Sequence, residues 1–154
     1  MAYLLFIGGG IIVLDQLTKL LILQYLPLHS SLEIIPGFFN LVHVRNPGGA
    51  FSIFAGADSA LRQGLFLVMT VFIVIVLLFA YRKLRPEDRW TRTSYALIVG
   101  GALGNLVDRL RFGGEVIDFL DCYVGAYHWP AFNVADSAIT VGALMLVVSL
   151  LRGK

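Results

Sequence analysis

The chain has 154 residues, of which 58% are hydrophobic and 14% are charged. A water-soluble domain of this size could not bury so much apolar surface, because its surface is too large relative to its volume. The formal net charge of +2 is too small, and too dispersed along the chain, to indicate nucleic-acid binding. These values predict a single integral membrane domain over residues 1–154.

Four apolar stretches are long enough to cross a bilayer, since a helical span takes about 20 residues. They cover residues 3–26, 63–81, 94–112 and 133–151. The first lacks the basic N-terminal region and the small-residue cleavage motif of a signal peptide, so we expect it to be retained. The predicted fold class is an all-α membrane protein with four transmembrane helices.

The basic residues predict how these spans are oriented, because cytoplasmic loops are enriched in Lys and Arg. The 82–92 connection carries five basic residues, and the C-terminus adds two more. We therefore expect both termini and this connection to be cytoplasmic, and the other two connections to face outward. Arg109 and Arg111 contradict the rule at the outer end of the third span. Their expected local partners are the carboxylates of Asp108, Glu115 and Asp118.

The outward 27–62 connection is long and predicts a small sheet or hairpin outside the membrane. Residues 41–45 alternate in character, and tight turns are predicted at Pro36-Gly37 and at residues 46–49. Four phenylalanines suit the membrane–water interface: Phe38, Phe39, Phe51 and Phe54. The pair Arg45-Asn46 has two interpretations, an ordinary turn or a contact to a substrate backbone or headgroup phosphate.

Polar residues interrupt the third span at its outer end. Asn105, Asp108 and Arg109 are spaced i, i+3 and i+4, so they share one helical face. They form either a cluster that braces and orients a substrate, or a structural Asp–Arg pair. A row of small residues on this helix predicts close approach of another helix: Ala96, Gly100 and Gly104.

A polar stripe also follows one face of the fourth span, through Asn133, Asp136, Ser137 and Thr140. Asn133 and Asp136 have the spacing of a capping box, with Asp136 at the third helical position. Capping does not explain why the stripe continues to Thr140. Asp136 is therefore a candidate for chemistry as well as for capping.

Asp118 follows the third span in a glycine-turned, partly apolar segment, with Glu115 and Asp121 as nearby alternatives. Its apolar neighbours favour the neutral form of the carboxyl group. A charge near hydrocarbon costs about 2.5–3.5 kcal/mol on insertion scales, so such a carboxylate is a functional candidate. Two carboxyl groups at close range share a proton, and one can then act as base and the other as acid. That arrangement hydrolyses amides without a metal or a covalent intermediate.

Two further alternatives concern the first span and the single cysteine. Asp15 and Lys19 are spaced i, i+4 and can pair, which suits helix packing or, for Asp15, a proton relay. Cys122 lies six residues from His128, which leaves a cysteine nucleophile open beside a structural cysteine. The three histidines are scattered, and no metal-ligand spacing is present.

Four blocks of sequence resemble the lipoprotein signal peptidase family, also called signal peptidase II. They occur in the family's order and extend over nearly the whole chain. The blocks are "LDQLTK" at 14–19, "RNPGGAFSIF" at 45–54, "GGALGNLVDRLRFGGEVIDFLD" at 100–121 and "PAFNVADSAITVG" at 130–142.

The resemblance implies an intramembrane aspartic peptidase of the bacterial cytoplasmic membrane that acts near the outer leaflet. Its substrates are lipid-modified prolipoproteins, cut before a cysteine that carries diacylglycerol. Asp118 and Asp136 match the catalytic dyad, and 27–62 matches an outer β-cradle with a flexible lid. No cofactor is implied, and a compact bundle could act as a monomer. The remaining matched positions support the site: Asn46, Asn105, Asp108, Arg109, Asn133 and Asp15.

Two non-enzymatic alternatives remain. An ion- or proton-conducting protein would use Asp15, Asp108 and Asp136 as a relay, which predicts carboxylates spread through the membrane depth. A structural subunit would use the glycine-rich helix face to bind a partner. The second alternative leaves Asp118 and the 133–140 stripe without a purpose.

Overall fold

The computed structural model describes residues 1–48 and 59–152. Each apolar stretch predicted from the sequence coincides with a helix, with boundaries that differ by a few residues. The elements are α1 (Ala2–Tyr25), β1 (Ser31–Ile35), β2 (Phe39–Asn46), α2 (Ser59–Arg82), α3 (Arg89–Arg111), β3 (Val116–Val124), β4 (Tyr127–His128) and α4 (Val134–Leu151).

Among the described residues, three helices are long and apolar enough to cross a membrane: α1, α4 and the Ala60–Arg82 part of α2. The helix α3, which contains the predicted span 94–112, is not among them. It carries five charged residues and has ten buried ones. Because α3 packs against α1, α2 and α4, four of its polar residues are buried against protein: Thr91, Ser94, Asn105 and Asp108.

Small residues bring α3 close to its neighbours, as the row of Ala96, Gly100 and Gly104 predicts. A methyl group on Gly100 would lie 2.7 Å from the carbonyl oxygen of Gly8 in α1. A methyl group on Gly104 would lie 2.8 Å from Asp15 Oδ2. Glycine is therefore required at these positions for the helices to approach, which confirms the prediction.

The apolar core has two parts. One lies between α1, α2 and α3 and contains Leu4, Val74, Tyr81, Ala96, Val99 and Ala102. The other joins the end of α1 to the sheet through Ile22, Ile117 and Phe119. The second part fixes the sheet against the helices.

The strands form one antiparallel sheet in the order β1-β2-β3-β4. The hairpin predicted between residues 27 and 62 is confirmed by β1 and β2, and Gly37 has a φ of +76° in their turn. The simple alternation predicted for residues 41–45 is wrong, because a register shift between Leu41 and Val44 leaves Val42 and His43 both buried. Residues 49–58, with part of the predicted turn and lid, lie outside the described residues.

The sheet extends beyond the predicted cradle. Residues 116–124, expected as a loop segment, form β3, and two positive-φ glycines, Gly113 and Gly114, make the turn that leads into it. Half of the strands therefore come from the part of the chain between α3 and α4. This brings the segment that contains Asp118 directly beside β2.

Candidate active site

Asp118 lies in the middle of β3, where sheet pairing fixes its backbone opposite Val44 of β2. The residue is only 2% exposed. Both carboxyl oxygens accept hydrogen bonds from amide groups: Asn46 Nδ2 lies 3.0 Å from Oδ2, and Asn133 Nδ2 lies 2.8 Å from Oδ1. Elements that are distant in sequence therefore hold this side chain in one position.

Asp136 lies in the first turn of α4. The capping box predicted there is confirmed, since Asn133 Oδ1 accepts from the Asp136 amide at 2.9 Å and Asp136 Oδ2 accepts from the Asn133 amide at 3.3 Å. Asp136 Oδ1 also accepts a hydrogen bond from Asn105 Nδ2 at 2.7 Å. The carboxyl group is thus held by α3 as well as by its own helix.

The two aspartates are connected and face the same space. Asn133 Nδ2 donates to Asn105 Oδ1 at 3.2 Å, so the two amides bridge the carboxyl groups. A cavity of about 610 Å³ opens onto both. Its other lining residues include the continuation of the α4 stripe, which capping alone did not explain. The lining comprises Asn46, Gly48, Arg109, Asp118, Trp129, Pro130, Ala131, Phe132, Asp136, Ser137, Thr140 and Val141.

The surroundings of Asp118 change its acidity. Burial, and after it the charge of Asp136, raise the pKa of Asp118 to about 7. The hydrogen bonds from Asn46 and Asn133, and the positive charge of Lys19, act in the opposite direction. Near neutral pH, Asp118 is therefore able both to hold and to release a proton.

Arg109 lines the cavity, and the charges of Asp136, Asp118 and Asp108 act on it, which agrees with two of the three predicted partners. Its guanidinium carbon lies 5.5 Å from the centre of the Phe66 ring in α2. Asp108 and Glu115, two of the expected acids, form ion pairs with other residues. Among the residues that the structure describes, no ion pair within 4 Å joins an acid to Arg109 or Arg111.

A buried ion cluster lies behind the two asparagines. Lys19 Nζ is 2.8 Å from Asp15 Oδ2 and 2.8 Å from Asp108 Oδ2, which confirms the predicted Asp15–Lys19 pair. Both carboxylates also anchor backbone, because Asp15 accepts from the Ala135 amide and Asp108 from the Ile117 amide. Neither lines the cavity. Asp15 and Asp108 therefore brace the elements that carry Asp118 and Asp136.

Two members of this cluster are missing from the predicted site. Gln16 Nε2 donates to Asp108 Oδ1 at 2.9 Å, and Lys19 contacts Asn105. The i, i+4 spacing of Asp15 and Lys19 was a signal for the lysine, although it did not indicate further partners. Gln16 also donates to its neighbour Asp15 and to the Gly104 carbonyl, but no spacing in the sequence indicated its contacts to α3, which are 88 and 92 residues away.

The other candidates lie away from the cavity. His128 Nδ1 is 2.9 Å from Asp121 Oδ1, and its ring stacks on Tyr123. Among the described hydrogen bonds, none joins His128 to the Cys122 side chain, so the geometry does not favour a cysteine nucleophile. Within residues 1–48 and 59–152, no group of three or more His, Cys, Asp or Glu residues could hold a metal ion. A larger cavity of about 780 Å³, lined by residues between 83 and 90, lies at the other end of α3.

Comparisons with known proteins show the family to which this chain is similar. Residues 7–152 match the family model described as signal peptidase (SPase) II. The chain is 49% identical to the lipoprotein signal peptidase of Desulforapulum autotrophicum, over 94% of this chain and 88% of that protein. It is 48% identical to that of Syntrophus aciditrophicus, over 94% and 89%. A bacterial membrane enzyme solved by the in meso method at 1.9 Å superposes with a TM-score of 0.87 at 32% identity, over 100% of this chain and 96% of that one.

Proposed function

Because this chain belongs to the signal peptidase II family, we propose that it is a membrane-embedded aspartic endopeptidase. It removes signal peptides from prolipoproteins and cuts before a cysteine that carries diacylglycerol. The observation that supports this most is that Asp118 and Asp136 line one cavity and are bridged by Asn105 and Asn133. Two carboxyl groups that share a site do not both ionise readily, which leaves one acid and one base.

In this proposal Asp118 is the acid and Asp136 is the base. A pKa of about 7 lets Asp118 keep its proton at neutral pH. Asp136 lies at a helix N-terminus, where backbone N–H groups favour negative charge. The same two carboxyl groups can then exchange these roles during the reaction.

The proposed reaction has two steps. Ionised Asp136 takes a proton from water as the water oxygen attacks the scissile carbonyl carbon, and Asp118 gives its proton to the carbonyl oxygen. In the second step the C–N bond breaks, Asp136 passes its proton to the leaving amine, and Asp118 recovers a proton from the tetrahedral intermediate. Both carboxyl groups return to their starting states, so no metal, cofactor or covalent intermediate is needed.

The other polar residues position the dyad and the substrate. Asn46 and Arg109 lie on the cavity wall and are proposed to hold the substrate backbone near the scissile bond. The remaining residues act through the dyad or the elements that carry it: Asn105, Asn133, Asp15 and Asp108.

We also propose that α3 is a fourth membrane span in one integral domain. Its enclosure by three other helices supports this, because its polar groups then avoid lipid. The basic 82–92 connection favours cytoplasmic termini, with the sheet and the cavity toward the outer leaflet of the bacterial cytoplasmic membrane. The enzyme acts as a monomer, has no nucleic-acid partner, and receives its lipid-modified substrate from the bilayer.

The test is cleavage of a diacylglyceryl-modified prolipoprotein peptide by the purified protein in detergent or lipid. Asp118→Asn and Asp136→Asn are each expected to lower kcat by about 10²-fold or more, since each removes one proton-transfer group. Asp121→Asn is the matched control, because Asp121 lies on the same strand but not on the cavity wall. It is expected to retain turnover.

Normal turnover by a folded Asp118→Asn or Asp136→Asn protein would remove that residue from the dyad. Equal cleavage of the unlipidated peptide would contradict the proposed substrate class. Thermal unfolding of each variant separates loss of chemistry from loss of folding.

A further inference from the structure

The ammonium group of Lys19 has two more partners than an Asp15–Lys19 pair requires. Besides the two carboxylates at 2.8 Å, it donates to Asn105 Oδ1 at 3.1 Å. An ammonium group has three N–H donors and no acceptor, so these three oxygens satisfy it completely. Its third contact links the buried ion cluster to the amide that holds Asp136.

This contact determines which way the Asn105 amide points. Since Lys19 can only donate, Asn105 Oδ1 must face it, and Asn105 Nδ2 is then directed at Asp136 Oδ1, 2.7 Å away. The same Oδ1 accepts from Asn133 Nδ2, which also donates to Asp118 Oδ1. If the Asn105 amide were reversed, its oxygen would face the carboxylate oxygen of Asp136, and the two would repel. Its NH2 group would then face Asn133 Nδ2, and the hydrogen bond from Asn133 would be lost.

We propose that Lys19 is a positioning residue for the aspartic dyad: it fixes the direction of the Asn105 amide and provides a positive charge behind both carboxyl groups. The inference rests on the proposed peptidase function. Lys19 is 1% exposed and Asp15 and Asp108 are 0% exposed, so the ammonium reaches neither the cavity nor a substrate. It acts on the reaction through Asn105.

The charge of Lys19 also bears on the acid of the dyad. Its positive charge lowers the pKa of Asp118, while burial and Asp136 raise it. Removal of this charge therefore shifts the pKa of Asp118 upward. The other charged groups around this region are Asp15 on α1, Asp108 and Arg109 on α3, Asp118 on β3 and Asp136 on α4.

The first test is Lys19→Met, which keeps the length of the side chain and removes its charge and donors. We expect kcat to fall about 100-fold or more, with KM changed by less than about threefold, because the substrate does not contact Lys19. The alkaline limb of the kcat–pH profile should also move to higher pH, because Asp118 keeps its proton longer. Lys83→Met is the matched control, since Lys83 lies in the 82–92 connection.

A second variant, Lys19→Gln, separates the effect of the Asn105 amide orientation from the effect of the Lys19 charge. It also provides a second protein to assay if Lys19→Met does not fold. A glutamine amide can still donate to Asn105 Oδ1 but carries no charge. We expect kcat at least about tenfold above that of Lys19→Met, since the donor is restored, and an alkaline limb that remains shifted. This variant also leaves a polar group beside the two buried carboxylates.

Folded Lys19→Met or Lys19→Gln with wild-type kcat and an unshifted alkaline limb would overturn the assignment. Failure of both variants to fold would also overturn it, because Lys19 would then be a folding element. In either case wild-type cleavage of the lipid-modified peptide would leave the proposed function intact. Absence of cleavage by the wild type itself would instead refute the proposed function.

Discussion

The substitution Asn46→Ala tests how the cavity wall sets the protonation of Asp118. Asn46 ends β2, and its Nδ2 donates to Asp118 Oδ2 over 3.0 Å. This hydrogen bond is one of the contacts that lower the pKa of Asp118. Its loss removes stabilisation from the ionised carboxylate, while the hydrogen bond from Asn133 to Asp118 Oδ1 is kept.

The size of the effect follows from the energy of that bond. A hydrogen bond to a charged group contributes about 1.5–3 kcal/mol, and one unit of pKa corresponds to about 1.4 kcal/mol. Because the amide also binds the protonated form, the pKa of Asp118 should rise by about one unit. In the proposed mechanism activity needs protonated Asp118, so it is lost as pH rises through this pKa. The alkaline limb of Asn46→Ala therefore moves about one unit to higher pH.

The assay is kcat against pH with the lipid-modified peptide at saturating concentration. Asn40→Ala is the matched control, because Asn40 Nδ2 donates to Asp121 Oδ2 at 2.9 Å across the same pair of strands, away from the cavity. Its profile should match the wild type. An unshifted limb in folded Asn46→Ala, or an equal shift in Asn40→Ala, would refute the reasoning.

Two further predictions concern stability and inhibition. Gly104→Ala should destabilise the protein by about 1–3 kcal/mol and lower its Tm, because the added methyl group would lie 2.8 Å from Asp15 Oδ2. The control Gly9→Ala should leave the Tm unchanged, because a methyl group there would have no neighbouring atom within 4 Å. Equal Tm values would show that α1 and α3 can separate freely. Chelators and thiol reagents should leave turnover unchanged; inhibition by a chelator would indicate a metal, and inhibition by a thiol reagent would implicate Cys122.

The sequence predicted the helices better than the sheet, for a physical reason. A run of about 20 apolar residues has few alternatives to a membrane helix, and all four runs coincide with helices. The strand β3 begins with buried residues on both faces, from Val116 to Phe119, so it lacks the alternation that marks a half-buried strand. In β2 the register shift after Leu41 breaks the alternation that was present.

Local patterns identified Asp136 but not the partners of Asp118. The capping box and the stripe on α4 lie within one helix, so spacing alone predicts them. The bond between Asn46 and Asp118 joins residues 72 apart, so local spacing marked Asn46 as a turn or contact residue without indicating that its partner is Asp118. Spacing also predicted that Asp108 and Arg109 share one face of α3. It could not indicate that Asp108 pairs with Lys19 of α1.

The buried charges of α1 and α3 are explained better by the orientation that they impose on the Asn105 amide than by a gain in folding stability. Replacement of a buried ion pair by apolar side chains is often neutral or stabilising, and Gly8 and Gly100 already bring the two helices into contact. An apolar residue at position 19 could fill the same space. It could not compel the Asn105 oxygen to face away from Asp136. An ammonium group held by two carboxylates can impose this orientation, because it donates hydrogen bonds in a fixed direction and cannot accept one.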